Sequence, residues 1–443
     1  MDAPTGEVTE LLQQLIRNEC VNLNTPESGQ EHRSVAVLQN YLEGAGLDLQ
    51  TYESAPGRQS LVTRIEGSDP TAPSLLLMGH LDVVPANADN WKHDPFGGEL
   101  IDDFVWGRGA IDMLNLTTSM AVATKRLATS GFRPKGDLIY LAVADEESGG
   151  SLGAGWLTEH EPDSVKADYV LSEWGGVPVQ SPTGSKLWIT VGQKGGTDVR
   201  ISVRGTSGQA NMPYQSNNAL IKAARIVQRI DEHRLAPEIT DVWRRYIEHM
   251  GYDAELTAVL LDPDRIDDGL AQLPFRLAQR AHACTRTTMT PTVIHGGVKS
   301  NVIPDHVELS VLIRRLPGHT YEDVLKHLDE AIGDLRDDVD IAVRMEVPPT
   351  QSSYDTPLQQ TLSRVSQNLL PGTVCVPALT AGGNDLGYFR EKGSIAYGFG
   401  LLSEAMPIEL FLDVFHGHDE RVDLESLRLS TQLWEQVARD FLT

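Results

Sequence analysis

The chain has 443 residues, of which 40% are hydrophobic and 22% are charged, and its formal net charge is −25. This length exceeds a single ordinary core and predicts two domains, while the composition is that of a globular protein. The large negative charge argues against nucleic acid or an anionic membrane surface as a partner.

The cysteines and the N-terminus indicate the cellular compartment. Cys20, Cys284 and Cys375 are far apart and odd in number, which excludes a disulfide framework and a thiolate metal site. The N-terminus lacks a basic region followed by an apolar core, and no apolar run reaches 18 residues. We therefore expect a cytoplasmic protein in a reducing environment.

The first part of the chain alternates helices and strands. Amphipathic helices are predicted at 7–18 and 31–46, strands at 48–53, 60–66 and 74–79, a helix at about 115–130, and strands at 137–144 and 167–172. The segment 91–109 has no sustained period and is predicted to be an ordered loop. Strand 137–144 is continuously apolar, as in strands that a parallel sheet buries on both faces. The alternation predicts an α/β domain with a mostly parallel, helix-flanked sheet.

The pattern changes after Gly192. Strands are predicted at 197–203, 286–295, 302–313 and 339–346, helices at 216–231 and 321–333, and a mixed helical stretch at 232–282. This order predicts an α+β, ferredoxin-like domain inserted at 193–347, with the helical stretch as its elaboration. Residues 1–192 and 348–443 would then form the larger domain.

The stretch from Leu75 to Pro85 carries the first chemical signal. The apolar run Leu75–Met78 predicts a buried strand that Gly79 ends, so that His80 and Asp82 follow on a loop. Ligands of α/β sheets gather outside the carboxyl ends of the strands. A metal-bound imidazole usually donates its second N–H to a carboxylate, which Asp82 could supply. Alone, this stretch fits equally well a strand end followed by two polar loop residues.

Other strands end in the same way. Asp112, Glu147 and Glu173 lie just past predicted strands or on the loops that follow them, and His416 lies downstream. Separately, the acidic turn around Glu147 could be solvated surface and the histidine segment a surface loop. Together, two imidazoles and three carboxylates suit two divalent ions that share a carboxylate. Zinc is the first expectation, with cobalt or manganese as alternatives.

Two such ions would acidify a bridging water and polarise a carbonyl. A carboxylate outside the ligand set must then take the proton of the water and pass it to the leaving nitrogen. Glu146, next to Glu147, is the candidate for this general base, because adjacent loop residues can point in different directions.

Five motifs resemble one family across nearly the whole chain. They are Gly79–Pro85, Gly107–Asp112, Asp145–Glu147, Ser172–Glu173 and His416–Glu420. The family is the di-zinc metallopeptidases that include aminoacylase, acetylornithine deacetylase, succinyl-diaminopimelate desuccinylase, carnosinase and glutamate carboxypeptidase.

The resemblance implies a role for each site residue. It assigns one ion to His80, Asp112 and Glu173, and the other to Asp112, Glu147 and His416. Asp112 would bridge the ions, Asp82 would orient His80, and Glu146 would be the general base. The peptide bond after the bridging Asp is often cis in this family. The alternative ligand to His416 is His418, where the family more often has another residue.

The inserted domain carries substrate-binding candidates by the same resemblance. Asn301 and Arg314 match family positions that hold the carbonyl and the carboxylate of the substrate, and an Arg fork suits a carboxylate. Arg315 is the alternative to Arg314, and an ordinary solvated Arg is possible for either. Gly382 and Gly383 match a loop that lines the same pocket, where glycines let backbone N–H groups approach a ligand.

One position departs from the family pattern. Gln209 stands where the family usually has a His that stabilises the tetrahedral intermediate, often from a dimer partner. A Gln can donate a neutral N–H to the oxyanion but brings no positive charge. This departure predicts a slower enzyme, a shifted substrate class, or another residue in that role.

The motifs predict a metal-dependent hydrolase that cleaves the amide bond of N-acyl amino acids or of dipeptide-like substrates with a free carboxylate. The alternatives are a carboxypeptidase or dipeptidase of the same family, and a catalytically weak, metal-dependent binding protein. Glu146 argues against a binding protein, because such a protein does not need a proton shuttle. A homodimer through the inserted domain is a further possibility.

Overall fold

The computed structural model describes residues 3–443. The strands are β1 (Leu49–Ala55), β2 (Arg58–Ile65), β3 (Leu75–His80), β4 (Glu99–Ile101), β5 (Phe104–Trp106), β6 (Leu138–Val143), β7 (Tyr169–Ser172), β8 (Pro178–Val179), β9 (Lys186–Gln193), β10 (Gly195–Arg204), β11 (Gly208–Gln209), β12 (Thr288–Gly296), β13 (Val302–Ile303), β14 (His306–Arg315), β15 (Val339–Val347), β16 (Thr350–Gln351), β17 (Val374–Thr380), β18 (Ile395–Gly398) and β19 (Arg421–Asp423). The helices are α1 (Ala3–Arg17), α2 (His32–Leu42), α3 (Leu114–Thr129), α4 (Ala154–His160), α5 (Pro162–Val165), α6 (Ala219–Glu232), α7 (Asp241–Met250), α8 (Ala254–Leu260), α9 (Ile266–Leu270), α10 (Phe275–Cys284), α11 (Tyr321–Ile332), α12 (Pro357–Leu369), α13 (Leu386–Glu391), α14 (Ile408–Val414) and α15 (Leu424–Phe441). Within these residues, no helix has both the length and the apolar character that a membrane crossing requires.

The larger sheet has ten strands and runs in the order β1-β2-β6-β3-β7-β18-β9-β16, with β8 and β17 also paired to β9. Its central strands β6, β3, β7 and β18 are parallel, and the outer pair β1 and β2 is antiparallel. The predicted α/β class with a mostly parallel central sheet is confirmed.

The apolar strands of this sheet are covered on both faces. In β3, Leu75 and Leu77 belong to one buried cluster, together with residues of α1, α3 and α15. Leu76 and Met78 belong to another cluster, together with residues of α4 and α13. Alternate side chains of a strand point to opposite faces, so a continuous apolar run requires helices on both sides of the sheet.

Strand β3 continues through Gly79 and includes His80, whereas the sequence suggested that Gly79 ends it. The glycine is needed because α3 packs closely at this point. A Cβ atom on residue 79 would lie 2.3 Å from Oγ1 of Thr117. The Thr117 hydroxyl donates a hydrogen bond of 2.8 Å to the carbonyl oxygen of His80 and so fixes the end of the strand.

The smaller sheet is antiparallel, in the order β12-β14-β10-β15. Val199, Ile201 and Val203 of β10 alternate with more exposed residues. They pack with buried residues of α6 and α11 in a cluster separate from the larger core. The helices therefore cover one face of this sheet.

Helices α7 to α10 do not join that cluster. Trp243 and Tyr246 of α7 are buried in the core of the larger sheet, and the ring of Tyr246 contacts Trp188 of β9. The guanidinium of Arg280 in α10 lies 3.7 Å from the centre of the Trp188 ring. Residues 232–282, which we expected to elaborate the inserted domain, thus pack on the larger sheet. They do so because the aromatic face of α7 matches the apolar surface of β9 and β17.

Candidate metal centre and substrate cleft

Five candidate ligands converge at one edge of the larger sheet. His80 is the last residue of β3, and Glu173 directly follows β7. Glu147 lies in a short 3-10 helix, Glu146–Ser148, after β6. Asp112 precedes α3, and His416 lies between α14 and β19. The carboxyl ends of parallel strands thus meet two loops from elsewhere in the chain.

Asp112 lies between the two imidazoles. Its Oδ1 is 3.2 Å from Nε2 of His80, and its Oδ2 is 2.7 Å from Nε2 of His416. Glu173 approaches His80 at 3.8 Å, and Glu147 approaches His416 at 3.4 Å. The peptide bond between Asp112 and Met113 is cis. His416 reaches the cluster through Asp112 and Glu147 although its side chain is 49% exposed, and His418 is also exposed.

The residues of this cluster fit divalent cations. Ligand atoms of His80, Asp112 and Glu147 lie within 4.8 Å of one another, as do those of His80, Glu146 and Glu173. Oε1 of Glu147 and Oε2 of Glu173 are buried without a hydrogen-bond partner among the described residues. Buried carboxylates that outnumber the cationic groups around them require compensating charge, which metal ions can supply.

The protonation of the cluster reflects the same excess of negative charge. Burial would lower the pKa of His416, but the carboxylates of Asp112 and Glu147 raise it to about 10. Burial and the charge of Glu173 raise the pKa of Glu146 well above its ordinary value. A bound cation would act in the opposite direction on these acids.

Asp82 contacts His80 in a different way from the one expected. The hydrogen-bond partner of His80 Nδ1 is the backbone carbonyl of Asp82, at 2.9 Å. The carboxylate oxygen Oδ1 of Asp82 lies 3.8 Å from the same nitrogen. The carboxylate accepts hydrogen bonds of 3.1 Å from the backbone N–H groups of Glu146 and Glu147. It also accepts one of 2.8 Å from Asn22. The carboxylate of Asp82 therefore holds the acidic turn, and its backbone orients the imidazole.

Arg108 and Glu420 form a buried pair that the sequence did not single out. Their side chains meet at 2.5 Å, and both are almost fully buried. Oε1 of Glu420 accepts hydrogen bonds from the backbone N–H groups of Ile111 and Asp112. Arg108 donates a hydrogen bond to the carbonyl oxygen of Gly417. The pair therefore fixes the loop of Asp112 to the loop of His416. Both residues lie in the quoted motifs, but nothing in the spacing showed that they meet.

A second buried network holds the acidic turn, Asp145–Glu147, in place. Arg58 lies 2.7 Å from Glu31 and 2.8 Å from Asp145, and all three side chains are buried. Asn22 donates hydrogen bonds to both Asp145 and Asp82. Asp145 has a left-handed backbone conformation with φ of 75°, which this network holds in place at the start of the acidic turn.

A cleft of about 420 Å³ opens beside the metal cluster, between the two sheets, and Glu146, Glu147 and Arg314 line it. Burial lowers the pKa of Arg314, and its guanidinium has no hydrogen bond or ion pair with the described residues. Arg315 differs, because it is paired with Glu346 at 3.1 Å and donates to the carbonyl of Val347. Of the two candidate arginines, Arg314 is the one available to a ligand.

The glycine loop forms the opposite wall. Gly383 lines the cleft, and a Cβ atom there would lie 4.0 Å from Nη1 of Arg314. Gly382 is adjacent, and its N–H points to Thr380 at 3.3 Å. Asn384 and Asp385, the next residues of the same loop, also line the cleft. Both side-chain polar atoms of Asn384 and one oxygen of Asp385 are buried without partners among the described residues.

Gln209 and Asn301 lie together, away from this cleft. Strand β11 pairs with β13, so that Gln209 lies opposite Val302, and the backbone N–H of Ala210 donates to the carbonyl oxygen of Asn301. Both residues are exposed, and neither is among the residues that line the cleft. Within one copy of residues 3–443, the structure does not bring them to the metal cluster.

The sequence is similar to those of known peptidases and hydrolases. The sequence model of peptidase family M20/M25/M40 matches residues 76–440 of this chain. An N-fatty-acyl-amino acid synthase/hydrolase, PM20D1 of Xenopus tropicalis, is 25% identical over 396 residues, which cover 87% of this chain and 75% of the relative. A probable carboxypeptidase S-like 2 of Dictyostelium discoideum is 26% identical over 383 residues, covering 83% and 72%.

A solved structure shares the fold over the full length. It is an M20 family metallo-carboxypeptidase, Sso-CP2 of Sulfolobus solfataricus, with a TM-score of 0.75 and 18% identity. The match covers 99% of each chain. At this identity the similarity concerns the arrangement of the helices and strands.

Proposed function

The chain belongs to peptidase family M20/M25/M40, and from this premise we propose that it hydrolyses the amide bond of N-acyl amino acids whose carboxylate is free. Membership confirms the resemblance carried by the five motifs. It makes the protein a metallo-hydrolase of a family that includes dinuclear metal-binding peptidases. The substrate class, the metal and the residue roles below are parts of the proposal.

Two divalent ions are proposed in the cluster, with zinc as the first candidate and cobalt or manganese as alternatives. His80, Asp112 and Glu173 would hold one ion, and Asp112, Glu147 and His416 the other. The two oxygens of Asp112, each facing a different imidazole, support this division. When bound, the ions would supply an acidified water and polarise the carbonyl that is attacked.

Glu146 is the proposed general base. It lines the cleft next to Glu147, and Asp82 holds its backbone. Glu146 would take a proton from the attacking water and deliver it to the leaving nitrogen, so that the amine departs neutral. A cation bound beside Glu146 would lower its raised pKa and leave the carboxylate free to accept a proton.

The single observation that carries the substrate class is the guanidinium of Arg314. It is part-buried, has no partner among the described residues, and shares one cleft with Glu146. A part-buried cation without a counter-ion readily pairs with a carboxylate, which can satisfy it through two parallel hydrogen bonds. The volume of the cleft, about 420 Å³, suits a small-molecule substrate. The names of the relatives, an N-fatty-acyl-amino acid hydrolase and a carboxypeptidase, also support a substrate with a free carboxylate.

A carboxypeptidase or dipeptidase is the second candidate. Glu391 lines the same cleft as Arg314, and its carboxylate could receive the free amine of a dipeptide, whereas Glu346, which also lines the cleft, is paired with Arg315. Met345, Val347 and Tyr388 line it as well and would favour an acyl chain instead. The two candidates therefore differ in whether the rest of the cleft, beyond the carboxylate held by Arg314, receives a free amine or an acyl chain.

We further propose that Gln209 acts across a homodimer formed through the inserted domain. Its exposure supports this idea, as does that of the adjacent Met212 and Tyr214, which are 65% and 87% exposed. A second copy could bring Gln209 to the cleft as a neutral N–H donor. Light scattering on the purified protein tests the dimer, and a monomer with full activity would remove Gln209 from the mechanism.

One experiment separates the candidate functions. The protein is incubated with N-acyl amino acids of increasing chain length and with dipeptides that share the same C-terminal residue. Each incubation is run with added zinc and with a chelator. Mass spectrometry should detect the released amino acid from the N-acyl substrates, and the chelator should abolish the release. Cleavage of dipeptides alone would favour the second candidate, and metal-dependent binding without any release would indicate a binding protein.

A further inference from the structure

Outside the catalytic cluster, one other group among residues 3–443 offers ligand atoms to a metal ion. It consists of His233, His327 and Glu330, whose ligand atoms all lie within 4.8 Å of one another. His233 caps the C-terminal end of α6, while His327 and Glu330 belong to α11. This lid trio, as we name the three residues, lies on the helical side of the inserted domain.

Local sequence explains the convergence. His327 and Glu330 are three residues apart in α11, so their side chains share one face of the helix. Helix α6 packs against α11, and Arg229 of α6 donates a hydrogen bond to the carbonyl oxygen of Ile332. This contact brings the end of α6 alongside α11. The rings of His233 and His327 consequently lie 5.8 Å apart.

The distances are close to those of a metal site. Oε2 of Glu330 is 3.5 Å from Nδ1 of His327 and 3.9 Å from Nε2 of His233. Nitrogen and oxygen ligands bind zinc at about 2.0–2.2 Å, which places neighbouring ligand atoms of a tetrahedral ion roughly 3.3 Å apart. Small rotations of these partly exposed side chains would bring the trio to that spacing.

Two further observations favour a cation over an ordinary surface contact. Nδ1 of His327 is buried without a hydrogen-bond partner among the described residues, and it faces Glu330. The C-terminal end of α6 adds the partial negative charge of a helix terminus. Lys326 is the competing cation, but it approaches the other oxygen of Glu330, at 3.9 Å. Oε2 thus remains directed at the imidazoles.

We propose that the lid trio binds a divalent ion of the zinc class, separate from the catalytic pair. Two imidazoles and one carboxylate match that class of ion, and the exposed side of the site, where Glu330 is 48% exposed, leaves room for a water ligand. The ion joins α6 to α11 and stabilises the inserted domain, without contact with the substrate.

The first test counts zinc in the purified protein, equilibrated at micromolar free zinc, by mass spectrometry of the metal. His327→Ala and Glu330→Gln should each hold one zinc fewer per chain than the wild type. The matched control is His249→Ala, which removes an exposed imidazole of α7 outside the trio and should leave the count unchanged. If His327→Ala and Glu330→Gln retain the wild-type number of zinc ions per chain, the lid trio does not bind zinc.

A second arm keeps this test independent of the catalytic metals. His80→Ala, which disturbs the catalytic cluster, should still lose one zinc when His327→Ala is added. Diethyl pyrocarbonate, which modifies free imidazoles, gives a readout at individual residues. Zinc should protect His233 and His327 from modification in the wild type and in His80→Ala, and should leave His249 reactive. Equal modification with and without zinc would overturn the proposal whatever the state of the catalytic cluster.

Discussion

The carboxylate of Asp82 accepts a hydrogen bond from the backbone N–H of Glu146 at 3.1 Å. A second hydrogen bond of the same length comes from Glu147. The two glutamates therefore start from a fixed backbone, and their side chains point in different directions, Glu147 toward His416 and Glu146 toward His80 and Glu173. The carboxylate of Asp82 therefore positions both a proposed metal ligand, Glu147, and the proposed general base, Glu146.

Replacement of Asp82 by Asn should disturb both glutamates. The amide keeps one acceptor oxygen but places an NH₂ group against an N–H, so one of the two hydrogen bonds is lost. We expect a loss of about 10–100-fold in metal affinity or turnover, as for other groups that support metal ligands. Metal content and kcat would be measured together. Asp168→Asn is the control, because this aspartate binds Ser74 at the opposite end of β3. Full activity with full metal content in Asp82→Asn would refute the assigned role.

Glu146→Gln should separate proton transfer from metal binding. The Gln side chain has nearly the same size but cannot take a proton, so kcat should fall by about 10²–10⁴. The metal content should stay at the wild-type level, whereas Glu147→Gln should lose metal. The measurement is the initial rate of amino acid release together with the metal count. Near-normal turnover in Glu146→Gln would assign the proton transfer to another group.

Much of the fold follows from patterns in the sequence. The continuous apolar runs of β3 and β6 predict a parallel sheet, and the change to alternating strands after Gly192 marks the start of the smaller sheet. By contrast, β4 and β5 have three residues each, which is too short to show a period, so the sequence predicts a loop there. The packing of α7 on β9 depends on contacts such as Trp188 with Tyr246, which the order of the elements does not indicate.

The candidate site, too, can be predicted from the sequence only in part. Strand ends and motifs placed His80, Asp112, Glu147, Glu173 and His416 in one predicted cluster, and the structure brings these five residues together. The sequence could not distinguish Arg314 from Arg315, because adjacent residues of a strand point to opposite sides and only the fold shows which side faces the cleft. The Arg108–Glu420 pair was missed since its partners are 312 residues apart in the chain.

Arg314→Gln tests recognition of the substrate carboxylate. Loss of charge-assisted hydrogen bonds, at about 1.5–3 kcal/mol, should lower kcat/KM roughly 10–100-fold, mainly through KM. A substrate whose carboxylate is replaced by an amide should be cleaved equally by the wild type and the variant. Arg315→Gln should instead weaken folding, because Arg315 is buried and paired with Glu346. An unchanged KM in Arg314→Gln would exclude it as the carboxylate anchor.

The Arg108–Glu420 pair should be strongly coupled. Glu420→Ala leaves the guanidinium of Arg108 buried without its partner and frees two backbone N–H groups, at a cost of about 3–5 kcal/mol in the free energy of unfolding. In Arg108→Met with Glu420→Ala no unpaired charge remains, so the double variant should be less destabilised than the sum of the single ones. Urea unfolding of the four proteins gives this difference. Additive effects would show that the two side chains act independently.

Lys194 should make stability depend on pH at the junction of the two sheets. Its side chain is fully buried between β9 and β10, and burial, reinforced by Arg314, lowers its pKa to about 7. An unfolded lysine keeps its proton up to about pH 10.4. Between these values the unfolded state therefore binds more protons, and the contribution of Lys194 to stability rises with pH by up to about 1.4 kcal/mol per unit.

The comparison with Lys194→Met isolates this effect. The ammonium group donates to the carbonyl oxygens of Ala283 and Arg286, so the variant should be less stable because both acceptors lose their donor. The informative quantity is the slope: the difference in unfolding free energy between the two proteins should grow from pH 7 to pH 9. Lys166→Met, at an exposed position, should leave the slope unchanged. If Lys194→Met also keeps the wild-type slope, the carbonyl acceptors outweigh burial and hold Lys194 in its charged form throughout this range.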